Sequence, residues 1–304
     1  MARHSSELSW GHDPSVTLAS PHIVIPSEAA DFSLPVYLTH ATANRYDLLL
    51  VNETMLNTKK NIREPRRRNP SSDTQTDGSR SNGQTVSLVD LSHTIVDGMI
   101  TYKGIPAPVI CDFLSREASK KFYAEGTSFQ IGKIDMAANT GTYLDSPFHR
   151  FAEGKDISEL DLRSMAGLDA VVVRVVGAKT RAIDHHVFKA VYVREKAVLV
   201  HTDWAKHWRT DQYFEGHPFF TKGAALYLRE EGVRLVGVDS LNIDDIDDGT
   251  RPVHTTLLGA EIPIVEHLCN LDKLPISGFT FTAVPAPVKG MGTFPVRAFA
   301  TLPS

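Results

Sequence analysis

Residues 137–150 read AANTGTYLDSPFHR, the stretch of the chain richest in groups that can do chemistry. Gly141, between two threonines, marks a tight backbone turn. Asp145 and His149 follow four apart across Ser146-Pro147, and the proline stiffens that approach. A carboxylate and an imidazole held this close can share a cation, or can act as base and orienting partner. They can equally be a turn carboxylate and a packed or surface histidine. About 100 residues later, RPVHTTLLGAEIPIVEHLCNL puts His254 before a short helical turn and Glu266 at the end of a strand. A His and a Glu arriving on separate elements suit a hard-to-borderline cation such as Zn or Mn. Spacing alone leaves open whether they meet Asp145, and a salt bridge or capping role is the ordinary alternative for Glu266.

The elements that must position these groups are short. SLVDLSHTI is strand-like and Asp97-Gly98 turns the chain. YKGIPAPVI reads as a proline-punctuated loop or edge, followed by VICDF, then a short helix over residues 115–125 and another strand in SFQIGKIDMAA. DAVVVRVVG and AVLVHTD are apolar throughout, as buried strands are. Thr221 caps a predicted helix, TKGAALYLREEG, which Gly232 closes, and VRLVGVD follows at once as a strand. Strand, helix, strand with short joints is βαβ grammar. IPIVEHL and FTFTAVPAP add two strands. Too few long helices are present for a TIM barrel, and Gly141, Gly259 and Gly290 lack the spacing of a phosphate-binding loop. Trp204 and Trp208, four apart, fit one face of a short helix, and Asp244, Asp245, Asp247 and Asp248 read as solvated turns.

Composition bounds the rest. The 304 residues carry 32 basic and 36 acidic side chains, so no whole-chain charge argues for nucleic acid or an anionic membrane as partner. Cys111 and Cys269 form no CxxC pair, and no stretch approaches the ~20 apolar residues of a membrane span. A cytoplasmic protein is the expectation. Residues 57–85 are almost devoid of groups that could be buried, so residues 1–85 read as a poorly structured extension and basic linker ahead of a domain over 86–304. The cluster Lys59, Lys60, Arg63, Arg66, Arg67 and Arg68 reads as a solvated tether.

Ordered blocks across residues 86–304 resemble the cyclase family that includes bacterial kynurenine formamidases and isatin hydrolases. VDLSHTIVDGMITYKGIPAP looks like that family's start, and NTGTYLDSPFH like its HxGTHxDxPxH signature. VRLVGVDSLNIDD and the block around His254 and Glu266 match later segments. The resemblance implies an α/β, mixed-sheet single domain whose strands close a barrel-like core with short flanking helices. It also implies a homodimer or homotetramer acting on a small molecule. In the formamidase branch one metal is held by both signature histidines and the aspartate, and a second by that aspartate with the downstream His and Glu. Carried over by position, the two histidines are Asn139 and Tyr143 here, while Asp145, His149, His254 and Glu266 stand. Asn is a weak neutral ligand and un-ionised Tyr a poorer one.

The resemblance therefore implies one divalent metal, Zn or Mn, on Asp145, His254 and Glu266, with His149 moving the proton in hydrolysis of an amide, lactam, lactone or ester carbonyl. Tyr102 lies where relatives put an aromatic residue against the substrate ring, or simply packs. His93 and His217 are candidates for supporting the ligands from behind, or for structural roles. Asn139 and Tyr143 are candidates for binding substrate or a water. Two rival readings remain at this stage. One is a catalytically decayed scaffold, in which Asp145, His254 and Glu266 would fail to converge. The other is a metal-independent lyase or dehydratase using His149 and Tyr143.

Overall fold

The computed structural model describes residues 86–303. The reading of residues 1–85 as extension and linker lies outside the described residues. The centre of the fold is three parallel strands, β5 (Leu168–Arg174), β7 (Ala197–His201) and β9 (Leu235–Val238), with β10 (Ile264–Glu266) parallel beside β9. These are the apolar runs, and their alternate residues feed two cores. Ala170, Val172, Ala197, Leu199 and Leu235 pack on one face; Val171, Val173, Val198, Val200, Val236 and Val238 pack on the other. A strand buried on both faces needs no polar alternation, which is why the sequence shows none.

The second face is covered by two helices, α2 (Lys222–Glu230) and α3 (Pro252–Leu258), through Ala224, Ala225, Leu228, Val253, Leu257 and Leu258. Thr221 caps α2 by accepting from the Ala224 amide, and Gly232 ends it at φ 64°, as the sequence indicates. The first face is enclosed by the sheet itself. Antiparallel β11 (Phe279–Thr282) pairs with β5, β13 (Phe299–Leu302) with β11, and β1 (Ser87–Asp90) with β13. At the other edge β4 (Tyr143–Asp145) pairs with β10, and β12 (Thr293–Pro295) with β4. The C-terminal segment thus supplies β12 to one side and β13 to the other, curling the nine strands into a partly closed half-barrel.

Outside this sheet stand the hairpin of β2 (Val109–Leu114) and β3 (Ile131–Asp135), and the small parallel pair β6 (Ala182–Ile183) and β8 (Phe219–Phe220). Three sequence expectations change. The helix expected over 115–125 is one turn, α1 (Arg116–Ser119), capped by Ser115. Trp204 and Trp208 share no helical face. A single 3-10 turn spans Trp204–His207, the Trp204 indole donates to the Tyr213 carbonyl at 3.0 Å, and Trp208 stacks on His93 at 4.0 Å. The signature segment, read as a turn, contains β4, a fully buried strand.

Candidate active site

Strand register brings the signature residues to their partners. Facing residues of paired strands present their side chains on the same side. Tyr143 faces Glu266 across the β4–β10 pairing, and Asp145 faces both Ile264 of β10 and Thr293 of β12. Leu144 and Val265 point into the enclosed core, so Tyr143, Asp145 and Glu266 share the face that α3 covers. The contacts follow. The Tyr143 hydroxyl donates to Glu266 Oε2 at 2.7 Å, and Thr293 Oγ1 donates to Asp145 Oδ1 at 2.5 Å.

His254 reaches this face from the first turn of α3. Its Nε2 lies 3.7 Å from Asp145 Oδ2 and 3.8 Å from Glu266 Oε1. On the far side of the ring, Nδ1 is 2.7 Å from Asp244 Oδ2. A carboxylate only accepts, so Nδ1 carries a hydrogen, and Nε2 faces Asp145 and Glu266 across a gap that a proton or a cation can fill. Asp244 also accepts from the Val253 and His254 amides at 2.7 and 3.0 Å, satisfying the open start of α3. The sequence reading of Asp244 as a solvated turn residue is therefore corrected. It is fully buried and orients His254. Asp245 and Asp248 do serve turns, accepting from the amides of Asp247 and Thr250.

His149 follows Ser146-Pro147 in a 3-10 turn that folds it back over Asp145, with Nε2 at 3.9 Å from Asp145 Oδ1. Its Nδ1 is 2.9 Å from Thr293 Oγ1. The single Thr293 hydroxyl hydrogen already goes to Asp145, so His149 Nδ1 donates and its Nε2 is free to accept a proton. Its side chain is 36% exposed, whereas Asp145 is wholly buried. One ligand atom from each of Asp145, His149 and His254 lies within 4.8 Å of the others.

The electrostatics call for positive charge. Burial alone would depress the His254 pKa, but the nearby Asp145 and Asp244 carboxylates and the charge of Glu266 push it up to about 10. Burial raises Glu266 to about 7. Asp145 Oδ2 is buried without a hydrogen-bond partner. Burial, then the Glu266 and Asp145 carboxylates, push the Tyr143 phenol well above its ordinary range, so it stays protonated. The Asn139 side chain opposes that rise.

The remaining expected residues lie around this cluster. Tyr102 is half-buried, and burial and the charge of Glu266 raise its phenol pKa while the Arg251 guanidinium lowers it. His217 is buried behind Asp244, with Nε2 3.1 Å from the Asp244 carbonyl. His93 stacks on Trp208 and burial holds its pKa down to about 4. Sequence reasoning missed Asp244, Thr293, Tyr213 and His267. Only His267, adjacent to Glu266, carried a positional hint.

The curled mixed sheet with an Asp/His cluster on its helix-covered face defines a hydrolytic enzyme fold able to bind metal. Residues 89–245 match the family model described as "Putative cyclase", and the chain belongs to that family. It is 32% identical over 175 residues to the kynurenine formamidase of Geobacillus thermodenitrificans (strain NG80-2), covering 58% of this chain and 81% of the relative. The kynurenine formamidase of Bacillus anthracis is 27% identical over 220 residues, covering 71% of this chain and 97% of the relative. In fold the chain is similar to isatin hydrolase A from Labrenzia aggregata bound to benzyl benzoate. That match has a TM-score of 0.62 at 22% identity and covers 72% of this chain and 94% of the other.

Proposed function

We propose that the chain hydrolyses a small amide, lactam, lactone or ester carbonyl with one divalent cation, Zn or Mn, held by Asp145, His254 and Glu266. The orphaned Asp145 Oδ2 carries this reading. A buried carboxylate oxygen with no donor is costly unless a cation satisfies it. Ligands ~2.0–2.2 Å from a cation stand roughly 3.5 Å apart. The gaps from His254 Nε2 to Asp145 and Glu266, 3.7 and 3.8 Å, are close to that. The Asp244–His254 pair matches the carboxylate that ordinarily backs a metal-binding histidine.

When bound, the cation would lower the pKa of water from ~15.7 toward ~7 and polarise the carbonyl. The chain's own groups do the rest. His149, fixed by Thr293 with Nε2 free, takes the water's proton and returns it to the leaving group. Its partial exposure lets that proton exchange with solvent. Tyr102, beside Arg251 at the edge of the cluster, shapes the substrate pocket. Substrates of the formamidase or isatin type fit this arrangement. Convergence of Asp145 and Glu266 on His254 argues against a decayed scaffold. Commitment of the Tyr143 proton to Glu266 argues against Tyr143 as an acid/base partner in a lyase.

The homodimer or homotetramer implied by resemblance has a candidate surface in the β2–β3 hairpin, which exposes Val109, Ile110, Phe113, Ile131 and Ile134. Two free cysteines, and no helix among the described residues long and apolar enough to cross a membrane, fit a cytoplasmic enzyme. The decisive assay is a panel of aryl formamides, lactams, lactones and esters run before and after chelation and after adding back Zn or Mn. Chelator-sensitive hydrolysis of at least one class is expected; hydrolysis indifferent to chelator, or none, would overturn the reading.

A further inference from the structure

Glu266 and His267 are consecutive, and along an extended strand their side chains would face opposite sides of the sheet. β10 ends at Glu266, and His267 takes φ 57°, a left-handed conformation uncommon for a residue with a Cβ. Its carbonyl is pinned there by the Thr142 hydroxyl at 2.6 Å. The turn brings the imidazole round to the Glu266 side. His267 Nε2 lies 3.2 Å from the Tyr143 hydroxyl, and Nδ1 lies 2.8 Å from the Tyr213 hydroxyl.

The result is a chain of four side chains, Tyr213, His267, Tyr143 and Glu266, none more than 2% exposed. With Glu266 ionised, as a cation ligand is, only one direction of donation satisfies every link. Glu266 Oε2 accepts the Tyr143 proton, so the Tyr143 oxygen must accept from His267 Nε2. Nδ1 then carries a lone pair, and Tyr213 donates to it. Glu266 Oε1 is fixed separately by the Ile243 amide at 2.6 Å. Trp208 packs edge-on against the His267 ring at 5.6 Å and leaves it little room to rotate.

We propose that His267, backed by Tyr213, is a positioning residue that acts through the Tyr143 hydroxyl to hold Glu266 in the one rotamer that presents Oε1 to the cation beside His254. The inference rests on the reading of Glu266 as a ligand. On this account Tyr143 is not a vacant ligand position. It is the link between a strained backbone and a preset carboxylate, and Tyr213 acts on the cation site from three links away.

The test is the dissociation constant of Zn2+ alone, and of Mn2+ alone, for the full-length apo chain. Competition with a chromophoric chelator gives the value, and Tm is measured alongside. Tyr143→Phe and Tyr213→Phe each remove one oxygen, and His267→Gln keeps a donor and an acceptor. We expect Tyr143→Phe to weaken binding by roughly 10–100-fold, Tyr213→Phe by several-fold, and His267→Gln to stay within about 3-fold of wild type. Tyr213→Phe should add nothing once Glu266→Gln is present, because both act through one group. Wild-type affinity in Tyr143→Phe and Tyr213→Phe, with only Tm lowered, would overturn the positioning role and leave the metal reading intact. So would an equal effect of Tyr213→Phe in the Glu266→Gln background. A wild-type chain that binds neither ion would instead sink the metal reading, and the positioning role with it.

Discussion

Asp244 shows how a residue's type can mislead when its neighbours share that type. It stands in an acidic run whose other members serve turns or solvent, yet it is the carboxylate that orients His254. Asp244→Asn should weaken metal binding or kcat/KM by about 10–100-fold, more than its effect on Tm would suggest; an unchanged metal dissociation constant would contradict this. The catalytic types themselves were legible. Asp145, His149, His254 and Glu266 stood out by residue type, their grouping as a set came from the resemblance, and the structure puts His149 beside Asp145 and His254 beside both Asp145 and Glu266. Thr293 was invisible, because nothing in a lone threonine announces a partner 148 positions away. His93 makes a separate prediction. Burial lowers its folded pKa from 6.5 to about 4, so the contribution of the neutral ring to stability is full above pH ~6.5 and is lost as pH drops toward 4. His93→Phe keeps the stack on Trp208 and should recover about 2 kcal/mol of that loss, seen in urea unfolding between pH 7 and 4.5. Equal acid sensitivity in the variant would refute it.

At the level of elements, β5, β7 and β9 were read from the sequence on strong apolar runs, and β1, β3, β10 and β11 on looser patterns. The missed ones, β4, β12 and β13, are three or four residues long and are fixed by their partners rather than their composition. They matter most to the site, since the β12–β4 register puts Thr293 on Asp145. The approach of the segment before β12 to the 3-10 turn is equally tight. A Cβ on Gly292 would lie 2.5 Å from the His149 amide nitrogen and 2.6 Å from its Cα. Gly292→Ala must therefore displace the backbone that carries His149. A loss of roughly 1–3 kcal/mol in stability is expected, with a fall in kcat at least as large as the Tm shift implies. Wild-type kcat in a folded Gly292→Ala protein would show that His149 does not depend on this contact.

Residues 86–303 join a half-barrel that encloses one core to a pair of helices that cover the other, and the candidate site lies on the helix-covered face. That partly closed architecture followed from resemblance; no local pattern reveals that the C-terminal segment serves both edges of the sheet. The β2–β3 hairpin stands apart with Phe113 75% exposed, and light scattering should find a homo-oligomer that Phe113→Asp shifts toward monomer. An oligomer untouched by that change would place the interface elsewhere. The most direct test of the central claim is elemental analysis of the purified full-length chain, alongside Asp145→Asn and His254→Ala. One Zn or Mn per chain, lost in both variants together with carbonyl hydrolysis, is the expected result. No metal, two metals per chain, or one that survives both substitutions would contradict it.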